Sequence, residues 1–285
     1  MIGSIVHLSD THFGGEADLS LIEAVEDLLP DLAPTATVVS GDFTIRARYG
    51  EFQAARAFVR ELERTSPVMV IPGNHDVQWW LRPFLPFGTA AMYQKYATYF
   101  GPDLSPSTSL PGVLLAAAQT SHGVAWGSLT LQPRDIAVKG HLPAKEIQRV
   151  SQLFRQADPR QLRVLVVHHN VLRGEISGRM GLARWKLAQQ RIVDSGAELV
   201  LCGHDHQESA HQLGGKVVVS CVGALSKRAR GDQPAVFHRV CWDPESIQIE
   251  QYRWDGERNL FKRSDVYAFA RTNKVHEARV PAQAS

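Results

Sequence analysis

Two hydrophobic periods alternate along the first 76 residues. Ile2 to Leu8 is an apolar-rich run of strand length, after which Leu21, Ile22, Val25, Leu28 and Leu29 recur at helical spacing. The pattern predicts a strand, then an amphipathic helix over Leu19 to Leu29 that Pro30 closes. Thr37 to Ser40 reads as a second strand, Glu51 to Glu63 as a second helix and Val68 to Ile71 as a third strand, the alternation of an α/β sheet. Past Asp76 the pattern breaks: prolines and a glycine interrupt VQWWLRPFLPFGTAA, and Trp79, Trp80, Phe84 and Phe87 predict either a rim over a site or a cover on the core. Gly112 to Gln119 and Val124 to Leu131 then predict added strands that begin a second sheet.

Pro143 to Gln156 predicts a helix with proline in its first turn, and Leu162 to Val167 a strand buried on both faces. Val171 to Lys186 is rich in glycine and basic residues and predicts a mobile insertion leading into a helix over Leu182 to Ser195. Its Arg173, Arg179, Arg184 and Lys186 are either contacts for an anionic substrate or solvated charges. Leu199 to Cys202, a hairpin turning at Gly214 and Gly215, Val217 to Val222, Ala235 to Trp242 and Ile247 to Trp254 complete a strand-rich second half. From about Arg271 no period remains. Residues 1–270 are therefore expected to form one catalytic domain and 271–285 a flexible tail.

The predicted strands end in chemistry. SIVHLSDTH delivers Asp10 and His12, TVVSGD delivers Asp42, and VMVIPGNHD delivers Asn74, His75 and Asp76. LRVLVVHHN delivers His168 and His169, and ELVLCGHDH delivers His204 and His206. Strand carboxyl ends are where α/β proteins bind ligands. A single strand-end Asp or His is ordinarily a turn former, but five such ends carrying metal-type donors point to one site. Aspartates, histidines and one asparagine without a thiolate suit Mn, Fe, Zn or Co better than Ca or Cu(I). Seven such donors exceed the needs of one ion. A carboxylate can bridge two, with Asp42 the candidate, and a pair of cations can clamp both oxygens of a displacement at phosphorus.

Composition narrows the partners. With 31 Lys and Arg against 29 Asp and Glu, the 285-residue chain has no global field calling for a nucleic acid or an anionic membrane, so nucleic acid enters only as substrate. No apolar run approaches transmembrane length, and Cys202, Cys221 and Cys241 form no CxxC pair. A cytoplasmic, reduced protein without membrane insertion is expected.

The ordered motifs Asp10-Thr11-His12, Gly41-Asp42, Gly73-Asn74-His75-Asp76, His168 and Gly203-His204-Asp205-His206 resemble those of the calcineurin-like metallophosphoesterase family over about Ile2 to Val222. The resemblance implies an α/β fold of four layers, an αββα sandwich with two facing mixed β-sheets flanked by helices. It implies two divalent or trivalent metal ions, with Asp10, His12 and His206 on one, Asn74, His168 and His204 on the other and Asp42 between them. His75 is then a catalytic group that stabilises the leaving oxygen, and Asp76 orients its ring. The expected activity is hydrolysis of a phosphate ester, first a phosphodiester, by a metal-bound hydroxide. The short loops are similar to those of bacterial cyclic-nucleotide phosphodiesterases, a similarity shared with nucleases, phospholipid-headgroup hydrolases, phosphomonoesterases and protein phosphatases. A catalytically silent metal-binding scaffold is the competing class. Two departures stand out: Asn170 replaces a common proline, and Ile45 and Arg46 replace small polar residues, with Arg46 or Arg48 either touching phosphate or facing water. His169 is open to two roles, substrate contact or structural hydrogen bond, and His7 either packs its strand or supports the site.

Overall fold

Every residue of β1 (Gly3–Leu8) beyond the first is buried, and its alternate side chains serve different cores, as described by a computed structural model covering residues 2–77, 92–122, 138–231 and 233–271. Val6 and Leu8 pack outward against α1 (Leu19–Leu32) and α2 (Tyr49–Leu62), whereas Ile5 points into a second cluster. Such double burial requires layers on both faces of the strand.

The layers are two six-stranded mixed sheets. In the first, β1 runs parallel to β2 (Ala36–Val39) and β2 parallel to β3 (Val68–Val70). On the other side of β1 come β10 (Val236–Trp242), β11 (Ser246–Asp255) and β12 (Leu260–Ala270), all antiparallel. The second sheet runs β4 (Ser107–Leu110), β5 (Val113–Ala117), β6 (Leu162–Val166), β7 (Leu199–Cys202), β9 (Val217–Cys221) and β8 (Ser209–Leu213). Its four inner strands are parallel and its two edges antiparallel. Ile5, Val38 and Val240 of the first sheet meet Leu115, Val164 and Leu201 of the second. Outside the second sheet, Ile147 and Phe154 of α4 (Ala144–Gln156) and Ile192 of α5 (Trp185–Asp194) cover Leu165, Val200 and Val219. The chain is thus the expected αββα sandwich.

Local departures have physical causes. α1 runs through Pro30 to Leu32, because a proline in the last turn forfeits one bond while Leu29 and Leu32 remain buried. α5 begins at Trp185 rather than at position 182, since Gly140 and Leu182 form a parallel bridge in which Gly140 N–H donates to the Gly181 carbonyl. The segment expected to be a mobile insertion is instead braced. The Asn170 amide donates to the Leu172 and Arg179 carbonyls (2.8 and 3.3 Å), and Gln207 Oε1 accepts from the Ile176 and Ser177 N–H groups (2.9 and 3.3 Å). Asn170 thus supplies with its side chain the restraint a proline would give. Arg271 is likewise no frayed tail: its guanidinium donates to both Glu198 oxygens (2.9 and 3.2 Å) and to the Asp243 carbonyl, tying the two sheets together. β4, β12 and the short α3 (Gln94–Phe100) add to the elements that the sequence pattern predicts. Val124 to Leu131 and the aromatic segment bearing Trp79, Trp80, Phe84 and Phe87 lie outside the described residues.

Candidate metal centre

The loops after β1, β2, β3, β6 and β7 bring seven donors to one place. Asp10 Oδ2 accepts from the His204 N–H (2.9 Å), which leaves Oδ1 3.2 Å from His206 Nε2 and 3.7 Å from His12 Nε2. Asp42 is fixed in the same manner. Its Oδ1 accepts from the His75 N–H (2.8 Å), and its Oδ2 lies 3.4 Å from His168 Nε2 and 3.9 Å from His12 Nε2. Asn74 Oδ1 and His204 Nδ1 stand 3.1 and 3.3 Å from that same His168 nitrogen. Asp42 Oδ2 therefore faces both groups, Asp10/His12/His206 on one side and Asn74/His168/His204 on the other.

Backbone carbonyls choose the tautomers. His12, His168 and His206 each direct Nδ1 at a carbonyl, of Thr44 (3.3 Å), Ser40 (2.8 Å) and Arg228 (2.9 Å), so Nδ1 carries the hydrogen and Nε2 is turned inward. Burial holds His12 and His204 down at about 3, as neutral imidazoles. Burial would lower His168 too, but the Asp42 carboxylate outweighs it and raises this imidazole to about 9.

These residues fit cations. His12 Nε2 and His206 Nε2 are 3.1 Å apart, and with both Nδ1 atoms donating elsewhere, two lone pairs confront each other unless a positive charge lies between them. Asp10 Oδ1 is buried without a hydrogen-bond partner, a costly state that a cation would relieve. Two sets of metal-type donors, one around His168 and His204 and one of Asp10, His12, Asp42 and His206, make a dinuclear, divalent-type centre.

Backbone strain concentrates here. Asp10, His12, Asp42, His204 and His206 all have positive φ (57, 45, 54, 73 and 57°), a region costing non-glycine residues on the order of 1–3 kcal/mol each. Surrounding hydrogen bonds hold them, among them Asp10 N–H to the Gly41 carbonyl and His12 N–H to the Asp42 carbonyl. Gly73 has no such freedom to spare: a Cβ there would collide with the Asp42 carboxylate and N–H. Gly73→Ala should therefore cost on the order of 1–3 kcal/mol of stability by overpacking and lower metal content, read by urea unfolding and elemental analysis. Wild-type values in both would show that the Asp42 loop yields freely.

His75 sits beside the donors without joining them. Its Nδ1 donates to the Ile45 carbonyl (2.8 Å), its ring packs edge-on against His12 (centroids 5.0 Å) and its Nε2 lies 3.4 Å from Arg228 Nη1. The expectation that Asp76 orients this ring is corrected: Ile45 does so. Asp76 instead accepts from the N–H groups of Phe43, Thr44 and Gly73 and from Thr44 Oγ1, clamping the Asp42 and Asn74 loops together. Burial and the Asp42 charge push Asp76 up to about 6 despite these donors.

Other expectations resolve similarly. His169 makes structural contacts, Nδ1 with Thr120 Oγ1 (2.8 Å) and Nε2 with the Val138 carbonyl (3.0 Å). Arg46 and Arg48 are exposed and do not line the cleft. His7 supports the site from between the sheets, with Nε2 3.0 Å from Ser40 Oγ, whose own carbonyl anchors His168, and Nδ1 3.1 Å from Ser220 Oγ. Arg228 and Arg230 were missed, since the stretch KRARGD carries no periodicity and no motif; only its basic density could have drawn notice. Both line a cleft of about 770 Å³ above the donors, with Arg173, Arg179 and Trp185, whereas Arg184 belongs to a separate cavity beside His141 and Arg191.

A crystal structure of a dimetal phosphatase from Danio rerio superposes with a TM-score of 0.66 over 94% of this chain and 99% of that one, at 11% identity. GAP50, described as the anchor in the inner membrane complex of Plasmodium, gives 0.58 over 95% and 90%, also at 11% identity; both are likenesses of fold alone. The glycerophosphodiester phosphodiesterase GpdQ of Enterobacter lignolyticus is 33% identical over 113 residues, 33% of this chain and 38% of that protein, so the match covers well under half of the relative. The calcineurin-like phosphoesterase family matches residues 3–208, most of the chain and all seven donors, and this protein belongs to that family.

Proposed function

We propose that the chain is a dinuclear metal-dependent phosphodiesterase in which Asp10, His12 and His206 hold one cation, Asn74, His168 and His204 hold the other, and Asp42 bridges them. The observation that carries the reading is Asp42 Oδ2 turned toward both donor groups while Oδ1 is occupied by the His75 N–H. Bound there, two divalent cations supply Lewis acidity and lower the pKa of a water toward roughly 7. The protein does the rest. Arg228, 3.4 Å from His75 Nε2, is placed to hold a phosphoryl oxygen. His75 in its imidazolium form keeps Nδ1–H on Ile45 and offers Nε2–H to the departing oxygen. Asp76 acts as a positioning residue, holding the loops that carry Asp42 and Asn74.

Diester rather than monoester chemistry is supported by the similarity to GpdQ and by a cleft of about 770 Å³, a volume that accommodates more than a phosphate group. A reducing, cytoplasmic setting is supported by three buried free cysteines, and no helix among the described residues is long and apolar enough to cross a membrane. Chelator-treated protein should lose hydrolysis of bis(4-nitrophenyl) phosphate and regain it with Mn²⁺, Co²⁺ or Zn²⁺ at two ions per chain, with 4-nitrophenyl phosphate the poorer substrate. Full turnover without metal, or preference for the monoester, would overturn the proposal.

A further inference from the structure

Charges nearly cancel over the whole chain, yet they do not cancel in the cleft above the donors. Among its described lining residues are Lys139, Arg173, Arg179, Arg228 and Arg230, against one carboxylate outside the donor set, Asp205. Asp205 is itself committed: its Oδ1 is 3.5 Å from Arg230 and its Oδ2 accepts from Ser177 Oγ (2.8 Å). Arg173 and Arg179 are exposed, and neither is ion-paired among the described residues.

These two arginines stand on a fixed platform. The Gly174 N–H donates to the Arg179 carbonyl (2.9 Å), the Arg179 N–H to Ser177 Oγ (3.1 Å), and the Asn170 amide reaches the same Arg179 carbonyl. Asp205 and Gln207, on the loop that supplies His204 and His206, brace residues 176 and 177. The cost of ordering this loop is thus met in folding rather than in binding, which is how a preorganised site gains affinity. A solvated basic loop has no need of such bracing.

We infer that the physiological substrate is a phosphodiester bearing a further anionic group, a phosphate or carboxylate outside the scissile linkage, which Arg173 and Arg179 receive. This rests on the phosphodiesterase reading and adds substrate class to it. A lone diester carries one negative charge, which Arg228 and two cations already over-compensate. Among the described residues Arg173 and Arg179 have no ion-pair partner, charge elsewhere on the substrate would supply one, and a cleft of about 770 Å³ has room for it. Guanidinium groups also present the paired donors that match such oxyanions.

Two measurements test the inference. Thymidine 5′-(4-nitrophenyl phosphate) and its 3′-phosphorylated form share a leaving group and differ by one terminal phosphate. The phosphorylated form should have a kcat/KM higher by about tenfold, the effect of one good charge contact, falling with ionic strength. The ratio should collapse to near unity in Arg173→Ala/Arg179→Ala. By calorimetry, thymidine 3′,5′-bisphosphate should bind about tenfold tighter than thymidine 5′-monophosphate, with the advantage lost in the same double variant; Arg173→Lys/Arg179→Lys, which keeps the charge, should retain part of it. Equal kcat/KM for the two esters with equal binding of the two nucleotides would overturn the inference and leave the phosphodiesterase reading intact. Failure to cleave either ester, together with bis(4-nitrophenyl) phosphate, would instead remove the reading beneath it.

Discussion

Asp42→Asn should leave a folded protein that binds less than one metal ion per chain and loses more turnover than the hundredfold or so that follows from disturbing an outer partner of a ligand. Folding survives because the asparagine carbonyl can still accept the His75 N–H that Asp42 Oδ1 accepts at 2.8 Å, and the side-chain volume hardly changes. What changes is the other arm. An amide NH₂ replaces the oxygen that lies 3.4 Å from His168 Nε2 and 3.9 Å from His12 Nε2, so donors face the place where each cation needs a lone pair, and the negative charge between two positive ions is gone. Both ions should suffer, whereas loss of His206 or His204 would weaken one. Elemental analysis and thermal unfolding of the metal-free protein check the two halves of the expectation. Two ions per chain with normal turnover would show that Asp42 is no bridge.

The same residue illustrates what can be read from sequence. Asp42 was visible because TVVS ends in a Gly-Asp turn, and strands that terminate in Asp, Asn or His betray their site through local patterning alone. The inner strands are legible for a related reason: burial on both faces leaves uninterrupted apolar runs, as in VLV of β6 and LVLC of β7. β12 is not legible, since it is an edge strand whose Arg263 and Asp265 are exposed, charge that guards an edge while erasing its period. α3 has seven residues, too short to show a helical period; only its tertiary contacts define it, such as Phe100 stacking on Phe43 (centroids 4.8 Å). Asp76 was assigned to the wrong partner because adjacency in GNHD suggests that it serves His75. Yet neighbours in a tight turn point apart, and its carboxylate closes on the backbone 32 and 33 residues earlier. Arg228 and Arg230 were illegible for want of any local rule that places a loop arginine over a cleft formed by other loops.

His75→Ala should keep near-normal metal content while losing about a hundredfold or more in turnover of diesters with alkoxide leaving groups, the usual scale for a positioned general acid. Metal content holds because the one hydrogen bond from position 75 to the donor set, among the described residues, is its N–H to Asp42 Oδ1, a backbone bond that alanine keeps. The lost imidazole matters through Nε2, since Nδ1 is consumed by the Ile45 carbonyl, and the other nitrogen lies against Arg228 at the cleft. A nitrophenolate departs with little protonation, so the deficit should shrink as leaving-group pKa falls. Arg228→Ala, by contrast, removes a guanidinium that cannot deliver a proton at working pH, and should slow every leaving group by a similar factor. A plot of log kcat against leaving-group pKa therefore separates the two: steeper than wild type for His75→Ala, parallel to it for Arg228→Ala. Parallel lines for both would reduce His75 to a phosphate-positioning group, and loss of a metal ion in His75→Ala would make it part of the centre, against the geometry in which its ring stands edge-on to His12 rather than turned inward.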